Sequence, residues 1–394
     1  MAAMNNLWTE TGYVSINKQG EQLCGDRVRI LSHPEQDSIT LVLADGLGSG
    51  VKANILSTLT ATMLSTMIDE GMPIEDCVET MASTLPICQV RKVAYSTFSI
   101  IKVTGNSLVE IIQYDNPKVF VIRNGKNYEY PCTSREIAGK TILESRFSLA
   151  EGDRIVAMSD GAIYAGVGQT LNFGWQRENI ISYAETLCVD DLSAQMLASS
   201  IVDECNRLYD FQPGDDTTVA VARVRPRQSV NLWIGPPENR SSDQAALNLF
   251  FAKQGLKVIC GGTTASLAAR YLGRPLNTDI DYLDPEVPPI SHLQGVDLVT
   301  EGVITISKVL EYAKAYLDGT DLNPKWLTGK DGASQIARIL FERATDIQFF
   351  VGKAINPAHQ NPDLPIRFGI KIQLIQDLAA ALEKMGKHIH VSYF

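Results

Sequence analysis

A chain of 394 residues exceeds most single domains and predicts two or three units, each able to bury its own core. Its hydrophobic share of 45% and charged share of 20% exclude long disordered tracts. A formal charge of -10 excludes a nucleic-acid partner, because a phosphate backbone is bound by positive surface. Residues 13–30 alternate apolar and polar positions in short pieces, which predicts a hairpin crossing Gly20 and Gly25. Residues 39–44 are read as the central buried strand, with the uninterrupted apolar run Leu41 to Ala44, and it breaks off at Asp45-Gly46-Leu47-Gly48-Ser49-Gly50. A helix follows over 51–70, with Val51, Ile55, Leu59, Met63 and Met67 at helical spacing, and a second amphipathic helix over 74–85.

Strands are expected at 94–103, 108–114 and 118–122, with Asn124-Gly125 as a two-residue hairpin turn, since both positions tolerate positive φ. A strand at 153–158 runs into Ser159-Asp160-Gly161, helices cover 175–187 and 192–209, and a last strand spans 217–224. Antiparallel strands with helices inserted in blocks are an α+β pattern, most economically an antiparallel β-sandwich flanked by helical layers. The basic, proline-containing stretch Arg223 to Gln228 reads as a linker, which divides the chain into domains 1–226 and 227–394.

Beyond it strands and helices alternate, as in a smaller α/β domain. There, Gly261-Gly262-Thr263-Thr264 lies between a strand and a helix. Its amides could bind an anion, with Arg270 or Arg274 nearby, or the turn could simply be capped by Thr. The polar loop 354–362 contains His359. His388 and His390 share one side of the terminal strand without a third ligand and read as structural.

Residues 1–22 lack a basic segment followed by an apolar core, and no apolar run is long enough to span a bilayer. A cytoplasmic protein without membrane contact is expected. Seven scattered cysteines without a Cys-x-x-Cys pair fit reduced thiols. Cys24, beside Asp26, reads as a small buried residue rather than a redox switch.

The chemistry-bearing residues are carboxylates. Asp26, Asp45, Asp160 and Asp215 each follow or flank an apolar strand, and each sits beside a glycine. Asp-Gly also closes ordinary turns. If the four ends converge, however, their repulsion requires cations, and all-oxygen donors select Mg²⁺ or Mn²⁺ over zinc. Two such ions would activate water against a phosphoryl group without a nucleophilic side chain. No nucleophile elbow and no phosphate-binding loop with its lysine is present, which excludes kinase and nucleotide-hydrolase readings.

Taken in order, Gly25-Asp26, Ala44-Asp45-Gly46-Leu47-Gly48-Ser49-Gly50, Asp153-Arg154 with Ser159-Asp160-Gly161, and Asp215-Asp216-Thr217-Thr218 resemble the motifs of the metal-dependent type 2C protein serine/threonine phosphatases. The Asp45 to Gly50 form and the turn Tyr114-Asp115-Asn116-Pro117 resemble its bacterial branch typified by sporulation stage II protein E, over residues 10 to 225. That resemblance implies two Mn²⁺ or Mg²⁺ ions. Asp45 would bridge both, Asp160 and Asp215 would hold the first, and Asp26 with the Gly46 carbonyl would serve the second, while Asp216 and Thr218 would orient Asp215.

It also implies a phosphoserine or phosphothreonine substrate on a regulatory protein such as an anti-sigma-factor antagonist domain, and helices 51–70 and 74–85 as a switch or as plain packing. Two departures stand out: Leu47 occupies a position where many relatives carry histidine, and the phosphate-binding arginine has only Lys18 and Arg27 as stand-ins. The alternative is a phosphatase-like binding or signalling module without hydrolysis, in which the C-terminal domain senses an unknown effector. The assembly is left open, a homodimer included.

Overall fold

The computed structural model describes residues 6–84, 96–188, 192–279, 284, 286–318, 324–354 and 367–394, with backbone alone at 34, 82, 318 and 367–370. Residues 355–362 of the expected loop 354–362, His359 included, lie outside the described residues. Two compact units are present, Met1–Pro226 and Arg227–Phe394.

The first unit runs β1 (Leu7–Ile16), β2 (Asp26–His33), β3 (Ser38–Gly46), α1 (Gly50–Asp69), α2 (Ile74–Thr84), β4 (Ser96–Thr104), β5 (Leu108–Tyr114), β6 (Phe120–Arg123), β7 (Lys126–Asn127), β8 (Thr133–Ile137), β9 (Lys140–Ser148), β10 (Arg154–Met158), α3 (Asp160–Ile163), α4 (Arg177–Leu187), α5 (Ala194–Leu208) and β11 (Thr217–Pro226). Two antiparallel sheets result, ordered β1-β11-β10-β6-β7 and β2-β3-β4-β5-β9-β8. This is the expected α+β sandwich.

Side chains alternate across each strand, so β3 feeds two cores at once. Leu41 and Leu43 join Ile155, Ala157, Ala220 and Ala222 of the other sheet. Val42 and Ala44 pack instead with Leu56, Ala61 and Leu64 of α1 and with α2. A strand covered on both faces is apolar nearly throughout, which explains the run at 41–44, and the one buried hydroxyl before it, Thr40 Oγ1, donates to Asp69 Oδ1 at 3.1 Å.

Three sequence expectations fail here for identifiable reasons. β1 and β2 do not form a hairpin: β1 pairs along its whole length with β11, while β2 pairs with β3 in the other sheet. Residues 17–25 therefore cross between sheets. Arg223 and Arg225 are not linker residues but lie in β11, where Arg225 Nε binds Glu10 Oε2 and Arg223 donates to the Leu192 carbonyl at 2.8 Å. Finally, Val51, Ile55 and Leu59 are 63%, 53% and 45% exposed. α1 instead buries Leu56, Leu64 and Ile68 together with the small residues Ala53, Ser57, Thr60 and Ala61, and the small residues allow a close approach to the sheet.

The hairpin β8–β9 was not foreseen, because four of the five β8 residues are exposed and break the apolar pattern. At the β6–β7 turn, Asn124 and Gly125 take φ of 52° and 72°, as their residue types predict.

The second unit runs β12 (Ser229–Ile234), α6 (Asp243–Ala252), β13 (Leu256–Cys260), α7 (Gly262–Leu272), β14 (Leu276–Thr278), β15 (Ser291–Leu293), β16 (Leu298–Thr300), α8 (Val303–Asp318), α9 (Gly332–Ala337, continued by a π-helical turn to Arg343), β17 (Asp346–Val351), α10 (Arg367–Lys384) and β18 (His388–Tyr393). Its sheet is ordered β14-β15-β16-β13-β12-β17-β18. β16, β13, β12, β17 and β18 are parallel, and the short β14 and β15 add an antiparallel edge. α6 and α7 cover one face around Trp233 and Phe250, while α8, α9 and α10 cover the other around Leu232 and Phe349. The chain thus winds outward in both directions from β12, the doubly wound arrangement. His388 meets Asp346 at 3.2 Å, a structural contact between β18 and β17.

Glycines decide how closely the strand ends of the first unit approach. A β-carbon at Gly161 would lie 2.1 Å from the Asp216 carbonyl oxygen, whereas one at Gly214 would meet only the Tyr209 ring at 3.4 Å. Gly161→Ala should therefore cost about 1–3 kcal/mol, the usual range for overpacking. Gly214→Ala should stay within about 0.5 kcal/mol. Urea unfolding of the two variants checks this, and equal stabilities would contradict the packing assigned to the strand ends.

Candidate metal centre

Antiparallel register places Asp26, the first residue of β2, directly opposite Asp45, near the end of β3. Directly opposed residues share one sheet face, and at this separation like charges repel. Asp45 lies two residues after Leu43, so both carboxylates issue from the face turned towards the second sheet. From that sheet, β10 ends at Met158 opposite Val219 of β11, which brings Ser159-Asp160 beside Asp215-Asp216. Ser159 Oγ accepts from the Thr218 amide at 2.9 Å, and the Ser159 amide donates to the Thr218 carbonyl at 3.0 Å, locking the two ends together.

Missing β-carbons make this closeness geometrically permissible. One at Gly25 would lie 2.7 Å from Asp216 Oδ2, and one at Gly46 only 2.1 Å from the Ala53 carbonyl oxygen of α1. The Gly46 amide donates to the Gly25 carbonyl at 3.1 Å, and Ser96 Oγ donates to the Asp45 carbonyl at 2.7 Å. Tyr209 Oη donates to the Gly161 carbonyl at 2.8 Å from beneath.

The electrostatics follow from this crowding. Burial pushes Asp45 up to about 9, helped by the negative charge of Asp26, Asp160, Asp215 and Asp216. Asp26 is only 4% exposed, and its burial pushes it up to about 7 against the opposing pull of the Ser159 and Thr218 hydroxyls. Those hydroxyls lie near it without closing a hydrogen bond. Thr218 Oγ1 is bonded to Ser15 Oγ at 2.7 Å, and both oxygens of Asp26 are buried with no hydrogen-bond partner among the described residues. Asp160 and Asp215 are raised mainly by burial, Asp160 also by Asp215. Opposing this at Asp215 is Lys18, whose Nζ stands 3.9 Å from Oδ1.

All four predicted carboxylates are thus mutual neighbours at one end of the sandwich. Among the described residues, no three His, Cys, Asp or Glu side chains are disposed as a ready-made metal site. Two supporting assignments change. Asp215 is bonded by the Asp216 amide at 3.0 Å, not by the Asp216 carboxylate, which accepts from the Lys18 amide. Thr218 turns to Ser15 instead, and Thr217 Oγ1 donates to the Asp215 carbonyl at 3.2 Å. Arg27 is exposed and alternates away from Asp26 along β2.

Cys24 is half-buried beside the cluster, and burial together with Asp26 raises its thiol pKa well above the ordinary range. The sequence did not single out Ser159 or Ser96; a serine directly before or across from an acidic strand end is the signal available in retrospect.

Residues 35–225 match the family described as Stage II sporulation protein E (SpoIIE). Among solved structures, the chain resembles the PP2C phosphatase domain with a fragment of the regulatory domain of SpoIIE from Bacillus subtilis, at 20% identity and TM-score 0.46, over 56% of this chain and 64% of that one. It also resembles the RsbU and RsbW domains of a Mycobacterium tuberculosis protein, at 17% identity and TM-score 0.42, over 62% and 68% of the two chains. RsbX in complex with magnesium gives 18% identity and TM-score 0.37, over 55% and 95%. At such scores these likenesses carry no argument about this chain. No curated protein matches it. Among the described residues, no helix is long and apolar enough to cross a membrane.

Raised carboxylate pKa values mean that folding takes up protons. The associated stability is fully present below the ordinary carboxylate value of about 4 and is lost as pH rises through about 7 and about 9. Without divalent cations, Asp45→Asn should therefore melt above the parent chain, by a margin that widens from about pH 5 to about pH 9. Added Mg²⁺ or Mn²⁺ should raise the parent and spare the variant. Calorimetry across that range checks this, and a margin independent of pH would contradict it.

Proposed function

We propose that residues 1–226 form a phosphatase domain that hydrolyses phosphoserine or phosphothreonine on a regulatory protein, with two Mg²⁺ or Mn²⁺ ions as cofactors, and that residues 227–394 are a regulatory or partner-binding domain. The observation that carries this reading is the pair of orphaned, buried oxygens on Asp26 facing Asp45. Such a group is stable as an anion only beside positive charge, and hard oxygen donors suit these two cations.

Asp45 would be shared between both ions, Asp160 and Asp215 would complete one, and Asp26 with the Gly46 carbonyl would serve the other. When bound, such ions supply Lewis acidity towards water and towards a phosphoryl oxygen. The chain's own part is positional. The locked ends of β10 and β11 fix Asp160 and Asp215. The Gly46 contact with α1 fixes the carbonyl. The Lys18 ammonium at the half-exposed rim balances part of the charge on Asp215.

Cys24 is a poor nucleophile here, because its raised pKa keeps it a neutral thiol. The match of residues 35–225 to the SpoIIE family supports a phosphoprotein substrate, and we infer one of the anti-sigma-factor-antagonist kind.

The test is phosphate release from p-nitrophenyl phosphate and from a phosphoserine peptide in Mn²⁺. Turnover should appear with the metal and fall by about 100-fold or more in Asp45→Ala, the scale expected on losing a group central to charge stabilisation. Binding of the phosphopeptide without hydrolysis in the parent chain would contradict the enzymatic reading and favour a docking module.

A further inference from the structure

The second unit places two helix starts side by side at the C-terminal edge of its parallel sheet. β13 passes through Gly261 into α7, and neighbouring β16 passes through Glu301-Gly302 into α8. The Gly261 amide donates to the Thr300 carbonyl at 2.8 Å, which ties the two turns together. A β-carbon at Gly302 would lie 3.6 Å from Gly261 Cα, so the two N-caps are in contact.

Neither helix is capped by a side chain from that glycine. The first intrahelical bonds are Ala265 N–H to the Gly261 carbonyl and Ile306 N–H to the Gly302 carbonyl. The amides of 262–264 and of 303–305 therefore have no intrahelical acceptor, and the positive ends of two macrodipoles add at one point. The reading of this turn as Thr-capped does not hold, and Arg270 and Arg274 sit at the far end of α7.

An independent observation points the same way. The third helical residue of each start is a threonine, Thr264 and Thr305, and each is 0% exposed with its Oγ1 lacking a hydrogen-bond partner among the described residues. Thr264 Oγ1 lies 3.8 Å from where a β-carbon of Gly261 would be, so it faces the glycine junction. Two buried hydroxyls without acceptors, under two uncapped helix starts, are costly unless something accepts from them.

The rim adds two features. Glu301 Oε1 stands 3.4 Å from the β-carbon position of Gly262, and Val303 and Ile304 are 40% and 61% exposed beside the same turn. In doubly wound sheets, ligands bind at this edge.

We propose that this junction binds a small phosphorylated ligand of the nucleotide class. Its phosphate sits on the amides of 262–264 and 303–305, its sugar hydroxyl on the Glu301 carboxylate, and its base against Val303 and Ile304. The site is independent of the carboxylate cluster of the first unit.

The test is calorimetric titration of the full chain with AMP, inorganic phosphate and adenosine. AMP should bind, inorganic phosphate more weakly, and adenosine at least tenfold more weakly than AMP. Gly262→Glu and Gly302→Glu, each placing its own carboxylate at one helix start, should weaken AMP at least tenfold with the melting temperature unchanged. Thr264→Val, which keeps the side-chain shape, should weaken AMP severalfold. Glu301→Gln should tighten inorganic phosphate by removing a like charge. No binding of AMP or phosphate at millimolar concentration would overturn the proposal. So would unaltered AMP affinity in well-folded glutamate variants, or adenosine binding as tightly as AMP.

Discussion

Like-charge repulsion at the end of a β-sandwich is the constraint around which the first unit is built. Asp26 and Asp45 face one another across an antiparallel pair, and Asp160 and Asp215 approach from the opposite sheet. In isolation that arrangement is unfavourable, which is why burial lifts all four above their ordinary pKa values. It persists because each carboxylate sits on a backbone that cannot retreat. β3 is packed on both faces, the ends of β10 and β11 are bonded through Ser159, and Gly25, Gly46 and Gly161 allow contacts that any side chain would prevent. Stability is thus invested by the rest of the fold in an arrangement that opposes it.

The same economy explains α1. A helix following the Asp45 turn must lie close enough for the Ala53 carbonyl to touch Gly46, so its inner face mixes small residues, Ala53, Ser57, Thr60 and Ala61, with the core residues Leu56, Leu64 and Ile68, while Val51, Ile55 and Leu59 point outward. Motion of this helix would be felt first at the Gly46 carbonyl. The second unit meets a different demand. Its parallel strands need helices on both faces, and its glycine-ended turns gather backbone amides where the first unit gathers carboxylates.

Much of this was legible in the residues. The apolar run at 41–44, the Asn124-Gly125 turn and the β/α rhythm after residue 228 each carry a local physical cause, and all appear where expected. The four acidic strand ends could be named because each pairs an apolar strand with an adjacent glycine. What sequence could not reveal was non-local. Pairing of β1 with β11 joins residues about two hundred positions apart, and no periodicity announces it. The apolar spacing of Val51, Ile55 and Leu59 was real, yet these three are exposed, while Leu56, Leu64 and Ile68 turn inward with Met63 and Met67 at the edge of that core. Arg223 and Arg225 looked like linker charges until Glu10 was found opposite them. The role of Thr218 was misread for a similar reason: its hydroxyl has a nearer partner in Ser15 from another strand.

The account stands on the four carboxylates acting together as a cation site. Equilibrium dialysis of the full chain against Mn²⁺ tests this most directly, with Asp45→Ala in parallel. Two ions per chain in the parent, with the shared site lost in the variant, is the result the proposal predicts. Failure of the parent chain to retain Mn²⁺, or equal retention by the variant, would contradict it.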